Sequence, residues 1–442
     1  MVPEKLLESL SGVKGFDRIA FEQVHAEKEK ITSIRTNPWK KAEIKIPHEK
    51  IPWCGSGYYL AERPSFTFDP LFHAGCYYVQ EASSMFLECA LKQTVDLSQS
   101  LRVLDLCGAP GGKSTHLLSL LNNNSLLVSN EVIRSRAEVL KDNINKWGRG
   151  NVVVTNNDPR DFSRLENFFD VIVIDAPCSG SGLFRRDEDA IGEWSEQHVM
   201  LCRGRQQRII SDVWPALKKD GILIYSTCSY SKEEDEDILD WLQEEWRAEI
   251  YPLKTDPDWS IVESGGGYRF WPDKIKGEGF FIACLRKTGG GVDTNIMIPV
   301  KKAPVVSRME EKILENWVDT EGLVMVKPGE KVFAWPTELA PDMVGLMQKL
   351  RFINSGTILG VMMRDKLVPD HALALSLIKN ESLNKIELNY DQAIAYLRKR
   401  ELQLVAGKGW QLVTFKGHAL GWVNVLSNRI NNYYPKELRI LK

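Results

Sequence analysis

LRVLDLCGAPGGKSTHLLSLLNNNSLLVSNE (101–131) reads as strand, glycine-rich turn, helix and strand. LRVLDL (101–106) and LLVSNE (126–131) are short apolar runs of the kind a buried parallel strand needs, and STHLLSLL (114–121) supplies a crossover helix between them. The alternation continues downstream. RSRAEVLKDNINKWG (134–148) is a helix ended by Gly148, NVVVTN (151–156) and FDVIVIDA (169–176) are strands, SEQHVMLCRGRQQRIISDVWPALKKDG (195–221) reads as one long helix stopped by glycine, and GILIYST (221–227) is a fifth strand. Ser231 with Glu234 three residues on reads as a capping box opening KEEDEDILDWL, and FFIACLR (280–286) as a late strand. The pattern predicts an α/β fold with a doubly wound, mostly parallel, Rossmann-like sheet. Such sheets hold ligands beyond the carboxyl ends of their strands. Cys107–Lys113, Glu131, Asp158, Asp175–Ser179 and Thr227–Ser229 are therefore expected to meet in one cleft.

On either side of this stretch the pattern changes. Residues 1–50 carry short apolar stripes among charges and read as small helices, ended by RTNPWKK (35–41) because a residue before proline leaves the α region. Residues 51–82 are rich in aromatics and glycine (IPWCGSGYYL, HAGCYYVQEA), either a packed cap or a surface on which bases stack; the cap is the simpler reading. KTGGGVDTN (287–295) is a linker candidate. The charges divide there: residues 301–442 hold 21 Lys/Arg against 15 Asp/Glu, a net of +6, in a chain whose net charge is −2. A basic region behind an acidic core suits an anionic partner, nucleic acid included, although a solvated surface explains the charge equally well.

The 442 residues allow two or three domains, and the balance of 43% hydrophobic and 26% charged residues is that of a globular protein rather than a disordered or histone-like chain. No run is long and apolar enough to span a bilayer, and the start lacks the pattern of a secretory signal. The eight cysteines (54, 76, 89, 107, 178, 202, 228 and 284) form no CxxC pair, and there is no HxxxH, so no metal site is expected. Most of these thiols read as free and buried in a reducing compartment, the cytoplasm.

CGAPGGKST (107–115) matches neither phosphate-binding loop. A Walker A motif would need glycine at 107, where cysteine stands, and Gly108, Gly111 and Gly112 have the wrong spacing for a dinucleotide fingerprint. What remains is a tight turn with an acid, Glu131, at the end of the second strand, where a ribose-binding carboxylate belongs. Asp158 after the third strand can accept from an adenine amino group. Ribose and adenine contacts without a phosphate cradle describe S-adenosylmethionine better than ATP or NAD; a purely structural glycine turn is the alternative.

CGAPGGK (107–113), DAPCSGSG (175–182) and STCSYS (226–231) together resemble the Sun/Fmu/RsmF family of S-adenosylmethionine-dependent RNA (cytosine-5-)methyltransferases. YYVQEASSM (77–85), RTNPWK (35–40) and GEGFFIA (277–283) are similar to it too, and the tail 409–439 resembles the PUA-like RNA-binding end of the RsmF-type 16S rRNA enzymes. The sequence departs from the family at Gly108, where alanine is commoner, and at Asp273, where several relatives have histidine. The resemblance implies an N-terminal α/β RNA-binding cap (1–95), a methyltransferase domain (96–287), a linker (288–300) and a C-terminal α+β RNA-binding region with a PUA-like end (301–442).

Methylating carbon 5 of cytosine requires activation, because that carbon is a poor nucleophile. A thiolate added at carbon 6 turns the 5,6 bond into an enamine; a proton must then leave carbon 5 and the thiol be expelled. Cys228 lies in a Ser/Thr-rich turn leading to a helix N-terminus, a setting that favours thiolate. The resemblance makes Cys228 the nucleophile and Cys178 the group that resolves the adduct; the rival assignment has Cys178 as nucleophile. Asp175 could contact N3 or the amine of the base, and Lys113 balance charge nearby. The resemblance places cofactor contacts on Cys107, Gly108, Ala109, Pro110, Gly111, Gly112, Lys113, Glu131, Asp158 and Asp175. Arg185, Arg186, Arg203, Arg205 and Arg208 are candidates for RNA phosphates. A cytoplasmic, metal-free, monomeric enzyme acting on 16S rRNA or the small ribosomal subunit is the expectation; a tRNA cytosine-5 methyltransferase and a non-catalytic RNA-binding assembly factor are the alternatives.

Overall fold

The structure is a computed structural model that describes residues 2–27, 30–289, 303–405 and 407–441. The linker candidate at 288–300 therefore lies almost wholly outside the described residues. A ten-stranded sheet organises the rest. In chain order its strands are β1 (Arg102–Asp105), β2 (Leu126–Asn130), β3 (Val152–Thr155), β4 (Phe169–Asp175), β5 (Leu217–Thr227), β6 (Ala248–Ile250), β7 (Val262–Ser264), β8 (Gly267–Phe270), β9 (Phe280–Lys287) and β10 (Phe352–Ser355). The first five are parallel, in the order β3-β2-β1-β4-β5, the doubly wound arrangement. They are parallel because each pair is joined through α1 (Gly112–Leu120), α2 (Arg134–Trp147), the turn Pro159–Arg164 or α3 (Glu196–Val213), and such crossovers cover both faces. Val103, Leu104, Val128, Val153, Val171 and Ile172 are all at most 1% exposed, as that burial requires. Gly148 closes α2 in the left-handed conformation (φ 97°), as its position in the sequence predicts.

Three expectations need correction. The long helix does not reach Gly221: α3 ends at Val213, Pro215 sits in a 3-10 turn, and β5 begins at Leu217. A proline lacks the N–H that a helix interior needs, and this one ends the helix early. The Ser231–Glu234 capping box does not form: the Glu234 N–H donates to the Ser231 carbonyl at 3.1 Å, leaving Ser231 Oγ without a partner, and the Ser231 N–H donates to Ser229 Oγ at 3.0 Å while the Glu234 carboxylate is taken by other donors described below. The N-terminal 50 residues are not helical throughout. After helices at Glu4–Ser9 and Arg18–Glu27 comes the strand Thr32–Thr36, which joins His48–Lys50, Gly57–Leu60 and Tyr77–Val79 in a four-stranded sheet. The aromatics of 51–82 pack as a cap: Trp53, Tyr59 and Tyr77 are buried.

The chain after 303 builds two further four-stranded sheets and also contributes β10, which pairs antiparallel with β3. Arg102 on β1 forms a bidentate pair with Asp342 at 2.7 and 3.0 Å. The last sheet shares an apolar core with the N-terminal cap, Leu71, Cys76 and Tyr77 packing with Tyr396, Val413 and Val423. The C-terminal region is thus fastened to both other parts. Among the described residues no helix is long and apolar enough to cross a membrane.

Candidate active site

At the carboxyl ends of β1, β2, β4 and β5 the connecting loops enclose a cleft of about 640 Å³, lined by Cys107, Ala109, Glu131, Asp175, Cys178 and Cys228 among others. That lies within the roughly 300–1,000 Å³ usual for small-molecule sites. Four of the five separated segments expected to converge do so. Asp158 stands apart: it caps the turn Pro159–Arg164, its Oδ1 accepting from the Arg160 N–H at 3.2 Å with Arg208 3.8 Å away, and only its neighbour Pro159 lines the cleft.

Glu131 is buried, with Oε1 accepting from the Ile133 N–H at 2.9 Å and Oε2 3.5 Å from Arg136. Cys107 lines the cleft and is held as a thiol by burial. Gly108, Pro110, Gly111 and Gly112 form the turn behind. Its shape is fixed by the Gly108 N–H donating to Asn130 O at 2.7 Å and by Asn143 Nδ2 donating to Pro110 O at 2.8 Å.

Gly108 departs from the commoner alanine for a reason visible here. A Cβ at this position would lie 2.5 Å from Ser129 Oγ and 2.9 Å from Ser114 Oγ. These hydroxyls are 2.7 Å apart, and Ser114 Oγ donates to Asp105 Oδ2 at 2.6 Å. Gly108→Ala should cost about 1–3 kcal/mol as an overpacked site and weaken cofactor binding, measured by thermal melting and calorimetric titration.

Asp105 itself was not singled out in the sequence, although an acid ending the strand before a glycine turn was the available signal. It is fully buried, Oδ1 has no partner, and burial pushes its pKa up to about 7. Because this folded value exceeds the unfolded carboxylate's, the native state holds the extra proton between about pH 4 and 7 and stability falls as pH rises through that window. Asp105→Asn should flatten that slope, whose full size is on the order of a few kcal/mol at about 1.4 kcal/mol per pKa unit. Melting temperatures at pH 5 and pH 8 check this.

The two cysteines face each other across the cleft, Cys178 after β4 and Cys228 after β5, with Sγ atoms 2.8 Å apart. Cys178 is held well above the usual thiol range, first by its hydrogen bond with Cys228 and then by burial. Either thiol can donate to the other across this contact. Asp175 at the tip of β4 accepts from Ser226 Oγ at 2.9 Å and pairs with Lys113 at 2.8 Å. The lysine also lies over the Phe280 ring at 5.1 Å.

Of the candidate arginines, Arg186, Arg205 and Arg208 are exposed, and Arg205 and Arg208 line the cleft. Arg185 is buried, donating to Gly277 O at 3.0 Å with Glu278 3.7 Å away. Elsewhere the fold gathers Cys54, Glu88 and His116, which no spacing rule anticipates. Glu88 Oε2 accepts from the thiol at 3.2 Å and faces His116 Nε2 at 3.1 Å, a buried hydrogen-bonded triad in which His116 Nδ1 has no partner.

Comparison with known proteins bears on this site. The family described as "16S rRNA methyltransferase RsmB/F" matches residues 92–286. Those described as "N-terminal domain of 16S rRNA methyltransferase RsmF", "RsmF rRNA methyltransferase first C-terminal domain" and "Methyltransferase RsmF PUA domain" match 2–82, 310–377 and 383–440. The protein named ribosomal RNA small subunit methyltransferase F from Shewanella loihica is 32% identical over 92% of this chain and 86% of its own, and that of Vibrio vulnificus 30% over 99% and 97%. Among solved structures, a methyltransferase homolog from Pyrococcus horikoshii is 28% identical with a TM-score of 0.54, covering 65% of this chain and 100% of its own. The structure of NSun6 from Pyrococcus horikoshii with SFG, at 19% identity and a TM-score of 0.55, covers 65% of this chain and 99% of its own and shares the fold.

Proposed function

Because the chain belongs to the RsmB/F family of 16S rRNA methyltransferases, with the domains of the RsmF members, we propose that it transfers a methyl group from S-adenosylmethionine to carbon 5 of cytosine in 16S rRNA. The observation that carries this reading is the pair of thiols 2.8 Å apart, with Asp175 lining the same cleft. A family of methyltransferases needs only one electrophile and one acceptor; two facing thiols are the equipment of an acceptor carbon that must be activated and then released.

Glu131 would hold the ribose hydroxyls, Cys107 and Ala109 would flank the cofactor, and Asp175 would border its methionine end. The buried, acid-tipped cleft without a phosphate cradle suits that ligand. When bound, S-adenosylmethionine supplies an electrophilic methyl group.

Cys228 adds through sulfur to carbon 6 of an unstacked cytosine whose N3 takes up a proton from solvent, and Asp175 accepts a hydrogen bond from that N3–H or from the exocyclic amine. The enamine formed makes carbon 5 the nucleophile for the methyl group. Cys178 then removes the proton from carbon 5, and the pair of electrons returns to the ring as the Cys228 sulfur leaves. The order of events follows from the pair's own electrostatics. Before addition the hydrogen bond with Cys228, and then burial, hold Cys178 as a thiol. Once the Cys228 sulfur is bonded to carbon 6 that contact is lost, and Cys178 can release its proton to solvent and act as base.

Bisulfite sequencing of rRNA and tRNA from a deletion strain, with and without the restored gene, tests the substrate. One or more 16S cytosines losing protection is the expected result; loss confined to tRNA would support the tRNA reading. The C-terminal region should supply phosphate contacts. Its strand β10 completes the central sheet, so point substitutions are a cleaner probe than truncation. Lys408, Lys416 and Arg429 are exposed. Replacing all three by alanine should reduce the slope of log affinity for RNA against log salt by about 2–3, at roughly 0.7–0.9 per contact.

A further inference from the structure

Glu234 lies outside the cleft, is fully buried, and collects four hydrogen bonds. Its Oε1 accepts from the Ser179 N–H at 2.9 Å and from Gln206 Nε2 at 3.1 Å. Its Oε2 accepts from Ser179 Oγ at 2.5 Å and Ser229 Oγ at 2.7 Å. Ser179 and Ser229 are the residues directly after Cys178 and Cys228. One carboxylate thus fastens the loop carrying each thiol to the loop carrying the other. Gln206 ties the same carboxylate to α3 and to Pro177 O at 3.1 Å, on the other side of Cys178. The Tyr225 hydroxyl donates to the Glu234 carbonyl at 2.7 Å, which anchors the glutamate to β5. A second clamp, Gly182 N–H to Cys228 O at 2.9 Å, joins the loops on the far side of the thiols.

A buried carboxylate is costly unless its lone pairs are filled, and here they are filled by both cysteine loops and little else. The reciprocal half of the capping box is forgone with it: the carboxylate is spent on the two loops, and the Ser231 N–H donates to Ser229 Oγ at 3.0 Å instead.

We propose that Glu234 is a positioning residue for the methyl transfer: by binding Ser179 and Ser229 together it sets the separation of the Cys178 and Cys228 sulfurs. This rests on the reading in which both thiols act. The glutamate touches neither substrate nor cofactor and acts only through the loops. Its main contribution is geometric; its charge also helps to hold Cys178 as a thiol, and glutamine in its place separates the two. Glutamine in its place keeps one oxygen for the Ser179 N–H and Gln206, and its amide can donate to the two serine hydroxyls once they rotate.

The test uses the full-length protein and Glu234→Ala and Glu234→Gln variants. The first readout needs neither RNA nor cofactor: the rate at which diamide, taking up two electrons and two protons, closes a Cys178–Cys228 disulfide, followed by peptide mass spectrometry. Glu234→Ala should close it about tenfold more slowly than wild type, because the thiols lose their enforced proximity, and Glu234→Gln should stay near wild type. The second readout is methyl transfer, with kcat falling about 100-fold in Glu234→Ala, as an ångström of misplacement typically costs, while KM for S-adenosylmethionine and the melting temperature of Glu234→Gln hold. A wild-type disulfide rate in Glu234→Ala would overturn the positioning role. Equal loss of turnover in both variants would overturn its geometric basis in favour of charge. Failure of the two-thiol reading shows separately, as wild-type protein that methylates RNA without needing both cysteines.

Discussion

Cys228→Ala is expected to reduce methylated RNA to background, a loss of more than about a thousandfold in kcat, of the size seen when a covalent nucleophile is removed. The reason is specific to the acceptor. Without a sulfur bonded to carbon 6, carbon 5 has no enamine to push electrons toward the methyl group. The other candidates are occupied: Lys113 is paired with Asp175, Cys107 is kept as a thiol by burial, and Cys178, held well above the usual thiol range, is assigned the later step. Cofactor affinity should be retained, because Glu131 and the 107–113 loop are untouched. Single-turnover assays with labelled cofactor, alongside calorimetric titration, separate the two quantities. A variant that still methylates at a tenth of the wild-type rate would remove Cys228 as nucleophile.

Cys178→Ala is expected to fail later. Addition and methyl transfer remain possible, since both precede the step assigned to Cys178. The proton on carbon 5 then has no base 2.8 Å from the departing sulfur. The variant should consume close to one equivalent of cofactor per enzyme and stop, so steady-state turnover falls by about 10²–10⁴ while the first turnover survives. A variant showing neither burst nor product would return the nucleophile assignment to Cys178.

Much of this site is legible in the sequence because its parts lie at the ends of apolar strands. LRVLDL, FDVIVIDA and GILIYST announce buried parallel strands, and the residues after them must emerge at one edge of the sheet, whatever the rest of the chain does. What is not legible is held by partners remote in sequence. TSIRT at 32–36 is too polar to read as a buried strand. It is one because Arg35 is satisfied far away, donating to Gln80 Oε1 at 2.9 Å and Thr115 Oγ1 at 2.6 Å and lying 4.5 Å from the Trp147 ring. β10 pairs with β3 across roughly 200 residues, and no local pattern announces that. Glu234 carries a strong local signal, the capping box, and that signal misleads because two buried loops offer the carboxylate better donors. Arg185 looks like its exposed neighbour Arg186 in the sequence, and only tertiary packing separates the one that faces Glu278 from the one that faces solvent. In each case the partner of a polar group is set by topology, which no local pattern carries.

The account stands on a covalent bond between one sulfur and the RNA, and a denaturing gel sees that bond directly. Wild type, Cys228→Ala, Cys178→Ala and the double variant are incubated with labelled 16S rRNA and S-adenosylmethionine and then denatured. A protein–RNA band should accumulate in Cys178→Ala and be absent from Cys228→Ala and from the double variant, because a resolving group cannot matter where no bond has formed. A band in Cys228→Ala alone would contradict the assignment of the two thiols, and no band in any of the four would contradict the covalent mechanism itself.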